Sequence, residues 1–350
     1  MDEIQNAASS VPEENKGCIN CGHPVVVKGF PNALCESCRD SFIKHPIPKG
    51  IKIFAAAIAI VFLFSIYKIP KDILLGIHLD KGNTALEERK YITAQKELQI
   101  AVDKLPGNLE AESNLLIASF YNEDFKTYVN IFKRIADRNY EDQGLYNRVE
   151  TVVAEVNNYF PSDSFTVVLK QYNDDATAIP DTVLKNYIKL YQNDLYPVLI
   201  FANRLIDKKM YEAADSETAR ILVTNPTHIP ALGMMDVVKR EEHKLEESIS
   251  YCDKILAINK ENVFAMSCKV RTYLKEKRDA EAMALALKCN KMDEHNYHAA
   301  GSLILAYHFT NKIKERDTLI KKMDQLKDSS ITMSLQYVRD IVSGKESFRN

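Results

Sequence analysis

MYEAADSETARILVTNP (residues 210–226), KLEESISYCDKILAINK (244–260), DAEAMALALKCNKMDE (279–294) and IKERDTLIKKMDQLKD (313–328) follow one another in the C-terminal part of the chain. Laid over each other at one constant step, they put Tyr211, Leu245, Asp279 and Ile313 at one position and Ala214, Ser248, Ala282 and Arg316 at another. Four units in unbroken register mark an array of helical hairpins. Each hairpin exposes an apolar face that only its neighbours can cover.

The composition agrees with an all-α chain. Only 11 Gly and 12 Pro among 350 residues suit long helices joined by short corners. The 46 Lys and Arg against 48 Asp and Glu leave a formal charge of −2. No global field gathers polyanions, so nucleic acid is not an expected partner.

Working back toward the N-terminus, Gly82, Tyr91, Ala94, Leu98, Ala101 and Pro106 form a further unit. Phe125, Phe132 and Ile135 repeat Tyr91, Leu98 and Ala101 one such step on. Over most of 73–330 this small-and-aromatic spacing resembles the tetratricopeptide repeat superfamily. The chain has no Trp to match the family's, and only Gly82 supplies its glycine. The reading divides the region into two repeats (73–142), an irregular helical insert (143–194) containing Pro161 and Pro180, and four repeats with a C-terminal helix (195–345).

That resemblance implies a concave face lined by the first helix of each pair, holding a protein or peptide partner. Asn83, Asn114, Arg148, Asn203, Arg271 and His308 are the expected groove residues. In family members that clamp a carboxylate tail, five positions supply Lys, Asn and Arg. Asn83, Asn114 and Arg148 match three of them, while Leu79 and Gly144 stand at the two lysine positions. A groove for an extended or helical segment therefore fits better than an anion clamp.

At the N-terminus, a polar tail (1–16) precedes Cys18-x₂-Cys21 and Cys35-x₂-Cys38, two pairs separated by the stretch 22–34. Two such pairs supply a tetrahedral thiolate set, so 17–45 resembles a zinc ribbon and is expected to hold a structural zinc, with four thiolates leaving no open coordination position. A dithiol redox pair and an iron–sulfur centre are weaker readings. His23 and His45 are alternative ligands but read more simply as surface residues beside a turn. The Gly and Pro content suggests short strands and knuckles rather than helix. Between residues 1 and 50 five basic residues face six acidic ones, a poor nucleic-acid footprint. Cys252, Cys268 and Cys289 fall singly on apolar helix, where a free thiol acts as a small hydrophobe.

IKIFAAAIAIVFLFSIY (51–67) contains one charge, Lys52, and is flanked by further lysines. The stretch 51–69 is expected to be a single transmembrane helix, short against a hydrocarbon thickness of about 30 Å. A buried core helix is the alternative, but no face of the stretch is polar. Arg39, Lys44, Lys49 and Lys52 before it, against Lys68, Lys71 and Lys81 after it, favour a cytoplasmic N-terminus and extracytoplasmic repeats. Reduced thiolates in the N-terminal module point the same way. A small ribbon, one span and a large repeat array suggest a bacterial inner-membrane protein.

No phosphate loop, His-Glu-x-x-His or Gly-x-Ser-x-Gly is present. Asp293, Glu294, His295 and His298 cluster at a repeat corner and read as a solvated turn. The expectation is a non-enzymatic, membrane-anchored scaffold that binds protein through its repeats and contacts the bilayer through its span. The alternative is a metal- or redox-responsive membrane sensor whose four-cysteine site regulates the repeats. Nothing in the sequence sets the oligomeric state.

Overall fold

The computed structural model describes residues 17–44, 48–326 and 335–349, with the side chains of residues 44 and 65–74 outside that description. The expected tail and His45 lie outside the described residues. The chain divides into two compact units, Met1–Ile73 and Leu74–Asn350. Among the described residues all regular structure is helical.

In the first unit a cysteine-bearing loop leads into α1 (Glu36–Lys44), and α2 (Lys49–Glu87) begins soon after. The short strands expected in the loop do not form. Ile19 N–H donates to Ala33 O and Val27 N–H to Leu34 O, each at 2.9 Å, but these are isolated bonds rather than a ladder. Pro24, Gly29 and Pro31 interrupt any extended run. Downstream, the acidic Glu36 favours a helix start, so Cys38 lies in the first turn of α1.

On α2, Ile60, Val61, Phe62, Leu63 and Phe64 are exposed by 61–66%. Successive helical residues point about 100° apart, so five in a row take in the whole circumference. This stretch has no buried stripe. No helix among the described residues is long and apolar enough to cross a membrane. The described apolar side chains run over 51–64, about 21 Å of helix, and residues 65–69 of the expected span fall where side chains are not described.

The second unit contains the end of α2, then α3 (Tyr91–Lys104), α4 (Leu109–Tyr121), α5 (Phe125–Ile135) and α6 (Gln143–Val156). After a single 3-10 turn, Asn157–Tyr159, come α7 (Asp163–Gln171), a second turn at Ala176–Ala178, and α8 (Asp181–Leu190). Four helix pairs follow: α9 (Leu195–Asp207) with α10 (Tyr211–Thr224), α11 (Ile229–Glu241) with α12 (Leu245–Ile258), α13 (Val263–Lys275) with α14 (Asp279–Met292), and α15 (Tyr297–Phe309) with α16 (Ile313–Asp324). A last helix, α17 (Gln336–Val342), packs Leu335, Val338 and Ile341 into the core of the final pair. The helix starts keep the sequence step within each block, from Leu109 to Gln143 and from Leu195 through Ile229 and Val263 to Tyr297.

Packing explains the period. Ala94, Ala214, Ala282 and Ala286 have no measurable exposure and sit where the two helices of a pair cross. A Cβ on Gly82 would lie 2.6 Å from Leu98 Cγ, so only glycine admits that approach. Two blocks of corners keep the same step through left-handed, non-glycine residues: Arg89 and Glu123, then Lys209, His243, Lys277 and Asn311, all with φ between 57° and 61°. The next amide in each case reaches back five residues, as Lys90 N–H does to Ala85 O (2.8 Å) and Lys244 N–H to Lys239 O (2.8 Å). This closes the last turn of the first helix.

The two blocks meet each other. Thr93 on α3 donates through its backbone N–H (2.8 Å) and Oγ1 (2.7 Å) to the Glu261 carboxylate, 168 residues away. Arg89 Nη1 donates to Ala257 O (2.8 Å), and Lys260 N–H donates back to Arg89 O (2.9 Å). Asn259 Nδ2 bridges Tyr121 O and Asn122 Oδ1 at 3.1 and 3.0 Å. The Tyr159 ring stacks on His228 with centroids 4.5 Å apart, and Ile92 packs against the Val263 and Met266 cluster. The array therefore closes on itself.

Candidate partner groove and metal centre

Where the blocks meet they enclose a cavity of about 830 Å³. A second, of about 770 Å³, shares Asn203 and Met234 with it. Helices α9, α11, α13 and α15 form one wall of the first cavity. Residues of α3 and the α4–α5 corner form the other. Its apolar lining includes Ile229, Met234, Val237 and Phe264, and Gly233 lets Phe264 approach: a Cβ there would stand 2.5 Å from the ring.

Most polar groups on the wall hold the framework together. Gln95 Nε2 donates to Asp124 Oδ2 (2.7 Å), and Asn122 Nδ2 donates to Gln95 Oε1 (2.8 Å). Asp124 in turn caps α5 by accepting from Thr127 N–H (3.1 Å). Asn262 and Asn296, equivalent positions in successive repeats, cap α13 and α15 by accepting from Ala265 N–H and from His298 and Ala299 N–H. Burial, with Arg271 adding a repulsive charge, pushes His298 down to about 3 and keeps its ring neutral. This corrects the reading of that corner as a solvated turn: Glu294 does face solvent and pairs with Lys322, but His298 packs edge-on against Phe264. The half-buried ring is part of the cavity wall.

Glu123 differs from the rest of the wall. Its backbone occupies the left-handed corner position, and no hydrogen bond or ion pair engages its carboxylate among the described residues. Burial alone raises it to about 7.

The structure distributes the six expected groove residues among several places. Asn83, Asn114 and Arg148, on α2, α4 and α6, form a chain in which Asn114 Nδ2 donates to Asn83 Oδ1 (2.9 Å) and Arg148 Nη2 to Asn114 Oδ1 (3.3 Å). Asn83 also donates to Glu110 Oε1 (2.8 Å), so the three side chains largely satisfy one another. Asn203 is exposed and lines both cavities. Arg271 Nε donates to Ser302 Oγ (3.3 Å) beside Gly301, which packs against Leu335 and Val338. His308 Nδ1 lies 3.2 Å from Arg316 Nη1. Neither Arg271 nor His308 lines the first or second cavity.

Sequence reasoning passed over Glu123 and Asn259 and took Asp293 as part of a solvated turn, although all three line the cavity. A signal was present: Asn225, Asn259 and Asp293 keep the repeat step at the ends of α10, α12 and α14. The step identifies equivalent corners but not which of them face a cavity.

In the first unit the sulfurs of Cys18, Cys21, Cys35 and Cys38 all lie within 4.8 Å of one another. The Cys21 and Cys35 sulfurs are 3.6 Å apart. Four sulfurs at about 2.3 Å from a tetrahedral zinc would stand about 3.8 Å apart, so the donor set fits that ion. Tight turns set the geometry: Gly22 has φ 75°, and a Cβ on Gly17 would come 2.7 Å from His23 O. Backbone N–H groups of Cys35, Cys21 and Asn20 hold the Cys18 thiol down to about 6 against the effect of burial. At Cys21 the His23 N–H acts in the same direction, but the crowd of Cys38, Cys35 and Cys18 outweighs it and raises the thiol to about 12. A divalent cation would relieve that competition for protons. His23 is exposed and turns its ring to Val25. The three remaining cysteines, Cys252, Cys268 and Cys289, are buried, and burial drives their thiols upward.

No described protein family matches the sequence, and no curated protein does. Among solved structures, the chain is similar to a tetratricopeptide repeat protein from Parabacteroides merdae ATCC 43184, at 13% identity and a TM-score of 0.38, over 76% of this chain and 99% of that one. It is also similar to yeast Tom70, at 14% identity and a TM-score of 0.35, over 72% of this chain and 60% of that one. A third likeness is to pilF of Pseudomonas aeruginosa, at 14% identity and a TM-score of 0.30, over 77% and 98%.

Proposed function

We propose that this chain is a membrane-anchored scaffold whose repeat unit holds a segment of a partner protein in the groove between its two helical blocks. The cavity at the block junction, with exposed Asn203 shared between it and its neighbour, carries this reading. Its size falls in the range of ligand sites, roughly 300–1,000 Å³. The all-round exposure of Ile60 to Phe64 supports anchoring, since contact with water costs about 25 cal/mol per Å² of that apolar surface. Cys18, Cys21, Cys35 and Cys38 would hold a structural zinc, whose binding supplies folding free energy to a loop with little core of its own. The lysine and arginine bias supports a cytoplasmic module with the repeats outside an inner membrane. Function in this reading is recruitment, not catalysis.

The test puts a photo-crosslinking residue at position 203 of the full chain in cells, followed by an alkaline wash of the membranes. The chain should stay with the membranes and form discrete protein adducts through residue 203. Release by the wash would remove the anchor; retention without any adduct would remove the groove.

A further inference from the structure

We infer that the cavity between the two repeat blocks is a recognition site for a positively charged side chain, an arginine or lysine carried by an extended segment of the partner protein. The inference rests on the groove reading above and names the chemistry of its occupant.

Three observations support it. First, the wall is one-sided in charge: it carries Glu123, Asp124 and Asp293, and no lysine or arginine. His298, also on the wall, is neutral. Second, the acceptors are not equally committed. Asp124 is taken up by Thr127 and Gln95, and one oxygen of Asp293 accepts from His295 N–H (3.1 Å). Glu123 is unengaged among the described residues although it is half-buried at the cavity wall, so its carboxylate is the acceptor free to take an incoming cation. Third, the apolar part of the wall, Met234 and Phe264 among it, suits the alkyl stem of a long basic side chain, which buries its methylenes while its head finds carboxylate. A guanidinium entering the cavity can donate to the Glu123 carboxylate, and Asp293 Oδ2 adds to the negative lining; an anionic segment would meet three carboxylates and no counter-charge.

The probe is a fluorescein-labelled hexapeptide, Ala-Leu-Arg-Leu-Ala-Ala, titrated by anisotropy against the full chain in detergent micelles. Its partner probe replaces Arg with citrulline, which keeps the shape and removes the charge. The arginine peptide should bind at least tenfold tighter, and Glu123→Gln should erase that ratio while the circular dichroism stays unchanged. Asp293→Asn, which keeps the acceptor for His295, gives a second variant should the first fold poorly; it should reduce the ratio at least threefold. Equal binding of the two peptides, or an arginine preference that survives both substitutions, overturns the inference. So does spermidine binding that is sensitive to Glu123→Gln while neither peptide binds, because the cation would then be a free amine. An array of neutral and acidic peptides separates the two claims. Binding there without an arginine preference leaves the groove reading intact and removes this one; silence across the whole array removes the groove.

Discussion

Glu123 links the local backbone to the cavity. It holds a corner at φ 58°, where glycine would relieve a strain of about 1–2 kcal/mol, and its carboxylate has no partner among the described residues. Because burial raises its folded-state value to about 7, above the 4.5 of the free side chain, the folded chain favours the protonated form. Its contribution to stability is therefore complete below pH 4.5 and lost as the pH rises through about 7. Glu123→Gln should stabilise the chain at pH 8 by on the order of 1–3 kcal/mol, a value kept low by the partial solvent exposure of the residue, and should have little effect near pH 4.5. Denaturant melts at the two pH values check this; an equal effect at both would refute it. The buried pair at Asp236 and Arg240 shows the contrasting case. Their atoms are 2.7 Å apart, and Ser248 Oγ donates to the same carboxylate at 2.6 Å. There the charge is satisfied within the fold.

At the level of elements, the repeat register was legible because it is a packing constraint. Ala214, Ser248 and Ala282 are buried at the crossings, and the sequence step carries that fact directly. The helical form of the second cysteine turn was not legible, since paired cysteines fix sulfur spacing and leave the backbone between them free. Nor was the burial of His298, whose polar side chain resembles a turn residue until Phe264 from the preceding repeat is placed against it. The cysteine loop itself gives a clear expectation. Purified full chain should carry one zinc, and chelation should abolish protection of amides 17–44 from hydrogen exchange while leaving α9–α16 protected. Retained protection after metal removal would show that the loop folds without an ion.

For the molecule as a whole, closure is the feature that periodicity cannot reveal. A repeat array ordinarily needs only neighbour contacts, whereas here Arg89, Asn259 and Glu261, polar residues at corners, join the first block to the α12–α13 corner in the middle of the second. In the sequence they resemble ordinary solvated turns. Glu261→Ala removes two charge-assisted bonds to Thr93 and should cost about 1–3 kcal/mol. Hydrogen exchange should rise at α3 and at the α12–α13 corner ahead of the rest; a uniform rise would mean that the seam does not open separately.

The same seam matters during biosynthesis. A ribosome adding about 5–20 residues per second needs roughly 8–34 s to make the 168 residues between Thr93 and Glu261. Through that interval Ile92 awaits Val263, and the ring of Tyr159, made later, waits in turn for His228. A helper that shields α3 while the chain is still emerging would act on this half-built seam, and slow codons downstream of it would lengthen the exposure.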